Sequence, residues 1–286
     1  MSAFTQPLPS PALLEHVEED VTIALREDVG SGDITAALIA EDAWARARAI
    51  TREAAVLCGT PWFNAVFARL SPLITVAWHA DDGDLITPNQ EVCHIEGPTR
   101  ALLTGERTAL NFLQTLSGTA TVTREYVNII AGTHATLLDT RKTIPGLRLA
   151  QKYAVRCGGG GNHRLGLYDA VLIKENHIMG CGSIAVAVRS SQRLNPGKPI
   201  EVEVESIAQL HEAIAAGANS VLLDNFSLQM MREAVAANAG RIKLEASGGV
   251  DKQTLRAIAE TGVDYISIGA LTKHVHAIDL SMRIVN

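Results

Sequence analysis

The chain has 286 residues, of which 47% are hydrophobic and 20% charged, and this composition excludes a disordered protein. Its formal net charge is −6, from 25 Lys and Arg against 31 Asp and Glu. No apolar run approaches the ~20 residues that span a bilayer. No secretory signal pattern opens the sequence, and the four cysteines include no C-x-x-C pair. We therefore expect a soluble protein of the cytoplasm, without a thiol–disulfide motif or a zinc knuckle.

The first half of the sequence predicts an α+β domain on a mostly antiparallel sheet. A helical pattern runs from about residue 11 to 27, and a glycine-rich turn follows it. Short alternating stretches come next, separated by turn signals at residues 82–84 and 97–98. A second helical pattern, ALLTGERTALNFLQTLSG, closes this half near residue 115.

The second half alternates short apolar runs with helical patterns, which predicts a parallel α/β barrel. Six runs read as strands, at Ala135–Asp139, Ala170–Lys174, Ile200–Val204, Ser220–Asp224, Ile242–Ala246 and Tyr265–Gly269. We expect Ser206, Ser227 and Asp251 to be helix N-caps, with Ser206 and Gln209 as a capping box. Because only six or seven strands are found, the barrel is expected to be open or incomplete. The predicted domains are residues 1–115 and 116–286, and the C-terminal tail is a candidate to pack back on the first.

Charge is concentrated in residues 141–174, where seven basic residues stand against one acid. This segment carries +6 (7 − 1), so the rest of the chain carries −12 (−6 − 6). A local positive field in an acidic protein disfavours bulk polyanions such as DNA and favours a small, multiply negative ligand. Arg148, Lys152 and Arg156 repeat every four residues and are predicted to be a solvated helix face.

Polar residues stand at the C-terminal ends of the predicted strands, which meet at one mouth of a barrel. Glu203 and Asp224 are candidates for a divalent cation, because carboxylates suit Mg²⁺. Lys174 is the expected counter-charge of Glu203. The glycines in Ser247-Gly248-Gly249 and Gly269-Ala270 predict phosphate-binding loops.

Four glycines at 158–161 precede Asn162, His163 and Arg164. Such a run permits a backbone that wraps a ligand, and an arginine binds carboxylates bidentately. His274 and His276 form a weak metal-like pair, for which we favour a structural role because no third ligand is evident.

Ordered motifs along nearly the whole chain resemble one family. They are EDVGSGDITA, GERTALNFLQTLSGTAT, DTRKT-x-PG-x-R, KYAV-x-CGGG-x-NHR-x-GL-x-D, LIKENH, EVEVE, LLDNF, EASGG and ISIGALT. These motifs resemble the quinolinate phosphoribosyltransferases (nicotinate-nucleotide pyrophosphorylases, carboxylating). The resemblance implies an N-terminal α/β sandwich domain and a C-terminal open α/β barrel.

The resemblance also implies a reaction. Quinolinate and phosphoribosyl pyrophosphate, with Mg²⁺, give nicotinate mononucleotide, pyrophosphate and CO₂, as a step of de novo NAD biosynthesis. It implies a homodimer in which Arg107 reaches the neighbouring subunit's site.

The resemblance further assigns roles at the matching positions. Lys174, Glu203 and Asp224 are the expected catalytic residues, with metal contact at Glu203 and Asp224, directly or through the substrate. The expected quinolinate-binding residues are Arg107, Thr140, Arg141, Lys142, His163, Arg164 and Lys174. The expected phosphoribosyl and phosphate-binding residues are Lys142, Glu203, Asp224, Ser247, Gly248, Gly249, Ile268, Gly269 and Ala270.

Three other interpretations remain open on sequence alone. Phosphoribosyltransferase-like proteins linked to molybdenum uptake share the fold, although Asp169 and the ERTALNF run favour the quinolinate enzymes. A Schiff-base aldolase would use Lys174 as its nucleophile. A non-enzymatic sensor of an anionic metabolite would need fewer residues at the barrel mouth.

Overall fold

The structure is a computed structural model that describes residues 10–285. It divides into two compact units. The first comprises the chain up to Arg124, Thr143–Gly159 and the residues from Leu271 onward. The second comprises Glu125–Lys142 and Gly160–Ala270. The boundary at residue 115 stays a prediction, and in space two later segments join the first unit.

Ten α-helices and twelve strands are found in the described residues. The helices are α1 Pro11–Val29, α2 Thr60–Leu70, α3 Thr99–Ile129, α4 Arg148–Cys157, α5 Glu175–Cys181, α6 Ile184–Leu194, α7 Ile207–Ala216, α8 Leu228–Asn238, α9 Leu255–Ala259 and α10 Ala270–Lys273. The strands are β1 Trp44–Thr51, β2 Ala55–Val56, β3 Thr75–Trp78, β4 Leu85–Ile86, β5 Glu91–Pro98, β6 Thr136–Leu138, β7 Val171–Ile173, β8 Ile200–Val204, β9 Ser220–Asp224, β10 Lys243–Ser247, β11 Tyr265–Ser267 and β12 Leu280–Val285. A short 3₁₀ helix spans Ala36–Leu38.

The first unit is built on an antiparallel sheet in the order β12-β1-β5-β3, with a separate β2-β4 pair. The C-terminal strand β12 pairs with β1, where Ala49 faces Met282. Along β1 the side chains alternate, so that Ala47 and Ala49 are buried while Arg46 and Arg48 are exposed. The predicted α+β character of this region is confirmed.

Buried side chains of this sheet and of the helices α1 to α4 form the core of the first unit. Trp62, Phe63 and Phe67 of α2 are fully buried, and the Trp62 indole N–H donates to Asp20 at 2.9 Å. The core also brings together Cys58 and Cys157, which lie within contact distance of each other. All four cysteines are free thiols. Burial and the neighbouring Cys157 raise the pKa of Cys58 far above its ordinary value.

Helix α4 corrects one expectation. Lys152 is only 1% exposed, whereas Arg156 is exposed. The prediction that Arg148, Lys152 and Arg156 form one solvated face is therefore wrong for Lys152. The four-residue spacing identified a common face, but it could not say which part of that face the fold covers.

The second unit contains six parallel strands in the order β6-β11-β10-β9-β8-β7. All six predicted strands are present, and β6 and β7 are the two edges. The prediction of an open α/β barrel is thus confirmed. Helices follow the strands as expected for parallel strands that are buried on both faces. We call the end of this sheet formed by the C-terminal ends of its strands the barrel mouth.

The predicted helix caps are confirmed in two cases. Ser206 and Ser227 accept hydrogen bonds from the third following backbone N–H, at Gln209 and Met230. The Gln209 side chain accepts a hydrogen bond from the Glu205 backbone N–H at 2.7 Å. The expected capping box has this bond at Ser206 N–H, so the bond forms one residue earlier than predicted. Asp251 organises the turn before α9 instead of capping it, because it accepts from the backbone N–H groups of residues 253 and 254.

Within the described residues, no helix combines the length and the apolar character that crossing a bilayer requires.

Candidate active site at the barrel mouth

A cavity of about 350 Å³ opens at the barrel mouth, entirely within the second unit. Strand register explains its lining, because Glu203 pairs with Leu222, and Asp224 with Ser247, on adjacent strands. The cavity is lined by Thr140, Arg141, Lys142, His163, Arg164, Leu172, Lys174, Glu203, Leu222, Asp224, Glu245, Ser247, Gly248 and Ser267. Its volume suits a small ligand.

Lys174 and Glu203 form an ion pair at this mouth. Lys174 directly follows β7, and its Nζ lies 3.0 Å from Glu203 Oε2 on β8. The Lys174 side chain is 51% exposed and that of Glu203 19%. The sequence-based expectation that these two charges are partners is what the geometry shows. On the next strand, Asp224 Oδ2 accepts a hydrogen bond from the Asn225 side chain at 2.9 Å.

Two guanidinium groups face the same cavity. Burial lowers the pKa of Arg164, and the positive charge of Arg141 lowers it further, against the opposing effects of Asp169 and Glu201. The Arg164 side chain is oriented by a hydrogen bond from Nη1 to the Ala170 carbonyl, at 3.2 Å. Two like charges held this close create a field that an anion with several negative charges would relieve.

His163 connects this cavity to a carboxylate pair deeper in the barrel. Its Nε2 lies 2.9 Å from Glu201 Oε2 and 3.5 Å from Glu245 Oε2. Its Nδ1 accepts the Arg164 backbone N–H at 2.7 Å. Because an accepting Nδ1 carries no proton, the ring is the neutral Nε2–H tautomer that donates towards the carboxylates. Direct contact of His163 with a substrate stays a prediction.

Glu245 is 1% exposed, and its Oε1 has no hydrogen-bond partner. Burial and the nearby Glu201 charge raise the pKa of Glu245 to about 7. Glu201 is held by Ser220, whose hydroxyl donates to Oε1 at 3.1 Å. Sequence reasoning counted Glu245 among the polar residues at the strand ends without giving it a role, and it missed Glu201. The alternation in EVEVE was the available signal for Glu201, because it places Glu201 on the same strand face as Glu203.

Two carboxylates, the buried Asp139 and the half-buried Asp169, hold the loop that carries His163 and Arg164. Asp139, which is fully buried at the end of β6, accepts from the His163 backbone N–H at 2.9 Å and from the Asn162 side chain at 2.8 Å. Asp169 accepts from the backbone N–H groups of Leu165 and Gly166, at 2.6 and 2.9 Å. The glycine run before this loop therefore leads into a segment fixed at both ends.

The structure explains why glycine occurs at the ends of the last two parallel strands. Gly248 has φ +94°, and a Cβ there would overlap Asn225 Oδ1. At Gly269, a Cβ would lie 2.8 Å from Lys142 Cδ and 3.4 Å from Thr140 Oγ1. Both glycines thus allow a close approach of backbone to site side chains, as phosphate-binding loops require.

The structure brings most of the candidate residues together. Ten of them line the cavity. Gly249, Ile268, Gly269 and Ala270 adjoin the lining residues in the chain, and Ile268 is buried with its N–H donated to the Leu138 carbonyl. Arg107 lies elsewhere, exposed on α3 within the first unit.

The carboxylates at the mouth fit Mg²⁺ that is carried by a phosphorylated substrate. Glu203 and Asp224 already have protein partners, Lys174 and Asn225. They are not part of any three-ligand cluster found in the described residues. Mg²⁺ keeps several waters and takes one or two carboxylates together with substrate phosphates, which is the role these two side chains could fill.

Comparison with known proteins identifies related chains. Residues 33–117 match the family model described as quinolinate phosphoribosyl transferase, N-terminal domain. Residues 119–283 match the model of the C-terminal domain of the same family.

Individual relatives are similar over most of their length. A Bacillus subtilis (strain 168) protein named "Probable nicotinate-nucleotide pyrophosphorylase (carboxylating)" is 42% identical over 259 residues, covering 90% of each chain. The "Quinolinate phosphoribosyltransferase (decarboxylating) 1b" of Nicotiana tabacum is 38% identical and covers 92% of this chain and 81% of its own. The structure of the nicotinate-nucleotide pyrophosphorylase from Francisella tularensis superposes with a TM-score of 0.93, at 49% identity, over 98% of both chains.

Proposed function

Because this chain belongs to the quinolinate phosphoribosyltransferase family, we propose that the barrel mouth converts quinolinate and phosphoribosyl pyrophosphate to nicotinate mononucleotide, pyrophosphate and CO₂. The enzyme is a carboxylating nicotinate-nucleotide pyrophosphorylase, a phosphoribosyltransferase of NAD biosynthesis. The observation that carries the assignment to this site is the cavity with four cationic side chains, Arg141, Lys142, Arg164 and Lys174.

Quinolinate is a planar dicarboxylate, and the paired guanidinium groups suit it. Arg141 and Arg164 can each donate two parallel hydrogen bonds to a carboxylate. Their mutual repulsion, which together with the larger effect of burial lowers the pKa of Arg164, is relieved when a dianion binds. The neutral His163 ring, held by Glu201, fixes the backbone from which Arg164 extends.

Phosphoribosyl pyrophosphate is proposed to bind across the strands β8 to β11. The loops at Ser247-Gly248 and Gly269 would bind the 5′-phosphate, with Lys142 beside them. Glu203 and Asp224 would lie near the ribose, and Mg²⁺ would enter with the pyrophosphate group. When bound, the metal supplies positive charge to the leaving pyrophosphate.

The proposed chemistry depends on orientation and charge. The quinolinate ring nitrogen forms a bond to the ribose anomeric carbon as the bond from that carbon to pyrophosphate breaks. Positive charge on the sugar is stabilised by the carboxylates of Glu203 and Asp224, and negative charge on the leaving group by cations such as Lys142. Loss of CO₂ then leaves an electron pair on the ring carbon, next to the cationic ring nitrogen, and a proton replaces the lost carboxylate. Holding both reactants in line supplies much of the barrier reduction.

We also propose a homodimer in which Arg107 serves the partner's site. The exposure of Arg107 on α3 supports this role, because an exposed arginine can reach a ligand outside its own subunit. A cytoplasmic location is supported by the free state of all four cysteines.

The deciding experiment measures nicotinate mononucleotide formed from quinolinate, phosphoribosyl pyrophosphate and Mg²⁺, with nicotinate as a parallel substrate. We expect product and one CO₂ per turnover from quinolinate, and none from nicotinate. A folded protein without product from either substrate would contradict the proposal and favour the molybdenum-linked relatives. Borohydride trapping of a carbonyl substrate on Lys174 would instead support an aldolase.

A further inference from the structure

A separate cluster of metal-ligating side chains lies on the antiparallel sheet of the first unit. His79 directly follows β3, and Glu91 and His94 belong to β5, its neighbour in the sheet. His79 is 44% exposed and Glu91 35%, so solvent reaches the cluster. The function proposed above uses none of these residues.

The distances within the cluster match a tetrahedral metal site. His79 Nε2 lies 3.3 Å from Glu91 Oε1 and 3.3 Å from His94 Nδ1. The three ligand atoms all lie within 4.8 Å of one another. Zinc bonds of about 2.0–2.1 Å to nitrogen and oxygen in a tetrahedron place neighbouring ligand atoms about 3.3 Å apart. Both measured distances from His79 Nε2 therefore already equal the separation expected between two ligand atoms of a tetrahedral ion.

Hydrogen bonding alone does not satisfy this arrangement. One ring nitrogen, His79 Nε2, faces both a carboxylate oxygen and the Nδ1 of a second imidazole. If Nε2 carries a proton, that single proton is shared between two acceptors. If His94 donates to it instead, Nε2 directs a lone pair towards the Glu91 carboxylate. A cation among the three atoms satisfies all of them at once.

The surroundings fix the ligands and leave one position open. Arg48 Nη1 lies 3.9 Å from Glu91 Oε2, the carboxylate oxygen not directed at His79. Such an outer contact orients a ligating carboxylate. His94 pairs in register with Ala77 of β3 on one side and with Arg48 of β1 on the other. Because His79 is 44% exposed, solvent can supply the fourth ligand of an ion held by the three side chains.

We propose that His79, Glu91 and His94 form a binding site for a divalent transition-metal ion, with Zn²⁺ as the best fit and water as the fourth ligand. Imidazole nitrogen selects Zn²⁺, Cu²⁺ or Ni²⁺ over Mg²⁺, which prefers oxygen ligands. The site is therefore distinct in chemistry from the Mg²⁺ expected with phosphoribosyl pyrophosphate. The nearby positive charge of Arg48 limits its affinity and makes the ion exchangeable.

The test is a calorimetric titration of chelator-treated, full-length protein with Zn²⁺ alone. Every protein in the comparison carries Cys181→Ser, because Cys181 is the exposed thiol among the four cysteines and would bind zinc itself. We expect one Zn²⁺ per chain at this site. His79→Gln and His94→Gln should each weaken that binding at least about tenfold, since even the loss of an outer-shell contact costs that much.

The matched control is His16→Gln, which removes an exposed histidine paired with a single carboxylate, Glu19, at 2.9 Å. This variant should bind Zn²⁺ as the parent does. Co²⁺ in place of Zn²⁺ should give the intense visible absorption of a four-coordinate ion, lost in His94→Gln. Zinc binding that is unaffected by either site variant, equal weakening by His16→Gln, or a weak six-coordinate cobalt spectrum would overturn the proposal. Unchanged nicotinate mononucleotide synthesis by the site variants shows that they fold.

Discussion

Lys174 Nζ and Glu203 Oε2 lie 3.0 Å apart and join the C-terminal ends of the neighbouring strands β7 and β8. A second pair, Lys243 and Asp264, has nearly the same exposure, 54% and 16%, with 2.6 Å between Nζ and Oδ1. Lys243 opens β10, at the end of that strand opposite the barrel mouth. The two pairs differ mainly in whether they face the cavity, so they separate catalytic from structural effects of a surface lysine.

We expect Lys174→Met to lower kcat/KM by about 100-fold, the loss typical for one preorganised charged donor. Lys243→Met should leave kcat/KM unchanged. Because both lysines are about half exposed and can stay solvated, each substitution should change the free energy of unfolding by only about 1 kcal/mol. Steady-state kinetics and urea unfolding of both variants test this. An equal loss of activity in the two variants would contradict a catalytic role for Lys174.

Glu245 predicts a pH dependence of stability. Its pKa is raised from 4.5 to about 7 in the folded protein, so the folded state binds a proton more tightly than the unfolded state. Below pH 4.5 both states are protonated, and the group has no effect. As the pH rises from about 4.5 to about 7 the unfolded chain loses its proton first, and stability falls, on the order of 3 kcal/mol in total.

Glu245→Gln should abolish this component, because the amide can accept from the His163 Nε2–H without titrating. We expect the variant to be more stable than the parent at pH 8 and nearly equal at pH 4.5, measured by urea unfolding. Glu260→Gln is the control, since Glu260 is an exposed glutamate of the same unit that pairs with Arg256. A parent and a Glu245→Gln variant whose stabilities keep a constant difference across this range would contradict the prediction.

Alanine substitutions at Gly248 and Gly240 distinguish the effect of backbone strain from the effect of a steric clash in the site. Both glycines have positive φ, +94° and +75°, but a Cβ at Gly240 meets nothing within 4 Å whereas one at Gly248 overlaps Asn225. Gly240→Ala should cost about 1 kcal/mol of stability and leave kinetics unchanged. Gly248→Ala should cost more and raise KM for phosphoribosyl pyrophosphate about tenfold by shifting Asn225 and its partner Asp224. Kinetic parameters that are identical in the two variants would exclude Gly248 from the phosphate loop.

The sequence predicted the second unit well, because strands buried on both faces leave continuous apolar runs. All six strands and their shared mouth followed from that pattern together with the polar residues at each strand end. The ion pair of Lys174 with Glu203 followed as well, since a carboxylate on an interior strand face needs a partner.

Long-range contacts could not be predicted in the same way. Glu245 meets His163 only because the fold brings β10 close to the loop between α4 and β7, and nothing local in KLEAS indicates it. Cys58 and Cys157 meet for the same reason. Lys152 has the local pattern of a solvated helix, but the core of the first unit covers it. Burial is decided by tertiary packing, which periodicity constrains without fixing.

Arg107 provides the test of the proposed dimer. Arg107→Ala should lose the binding of quinolinate and leave the binding of phosphoribosyl pyrophosphate largely intact, because only the dicarboxylate would lose a guanidinium. Calorimetry with each ligand separately measures this, and an equal loss for both ligands would contradict the assignment. Arg156→Ala is a suitable control, since Arg156 is also an exposed arginine of the first unit.

Mixing two impaired variants, assayed with quinolinate below the KM of Arg107→Ala, determines whether Arg107 acts within its own chain. If Arg107 serves the partner's site, a hybrid of Arg107→Ala and Lys174→Met subunits contains one site with both residues intact. After the two proteins are mixed and allowed to exchange subunits, random pairing makes half of the dimers hybrids, which restores about a quarter of the parent's activity. If Arg107 instead acts in its own subunit, every site in the hybrid lacks one of the two residues. Activity that stays at the level of the separate variants, despite subunit exchange confirmed by mass spectrometry, would therefore place Arg107 outside the partner's site.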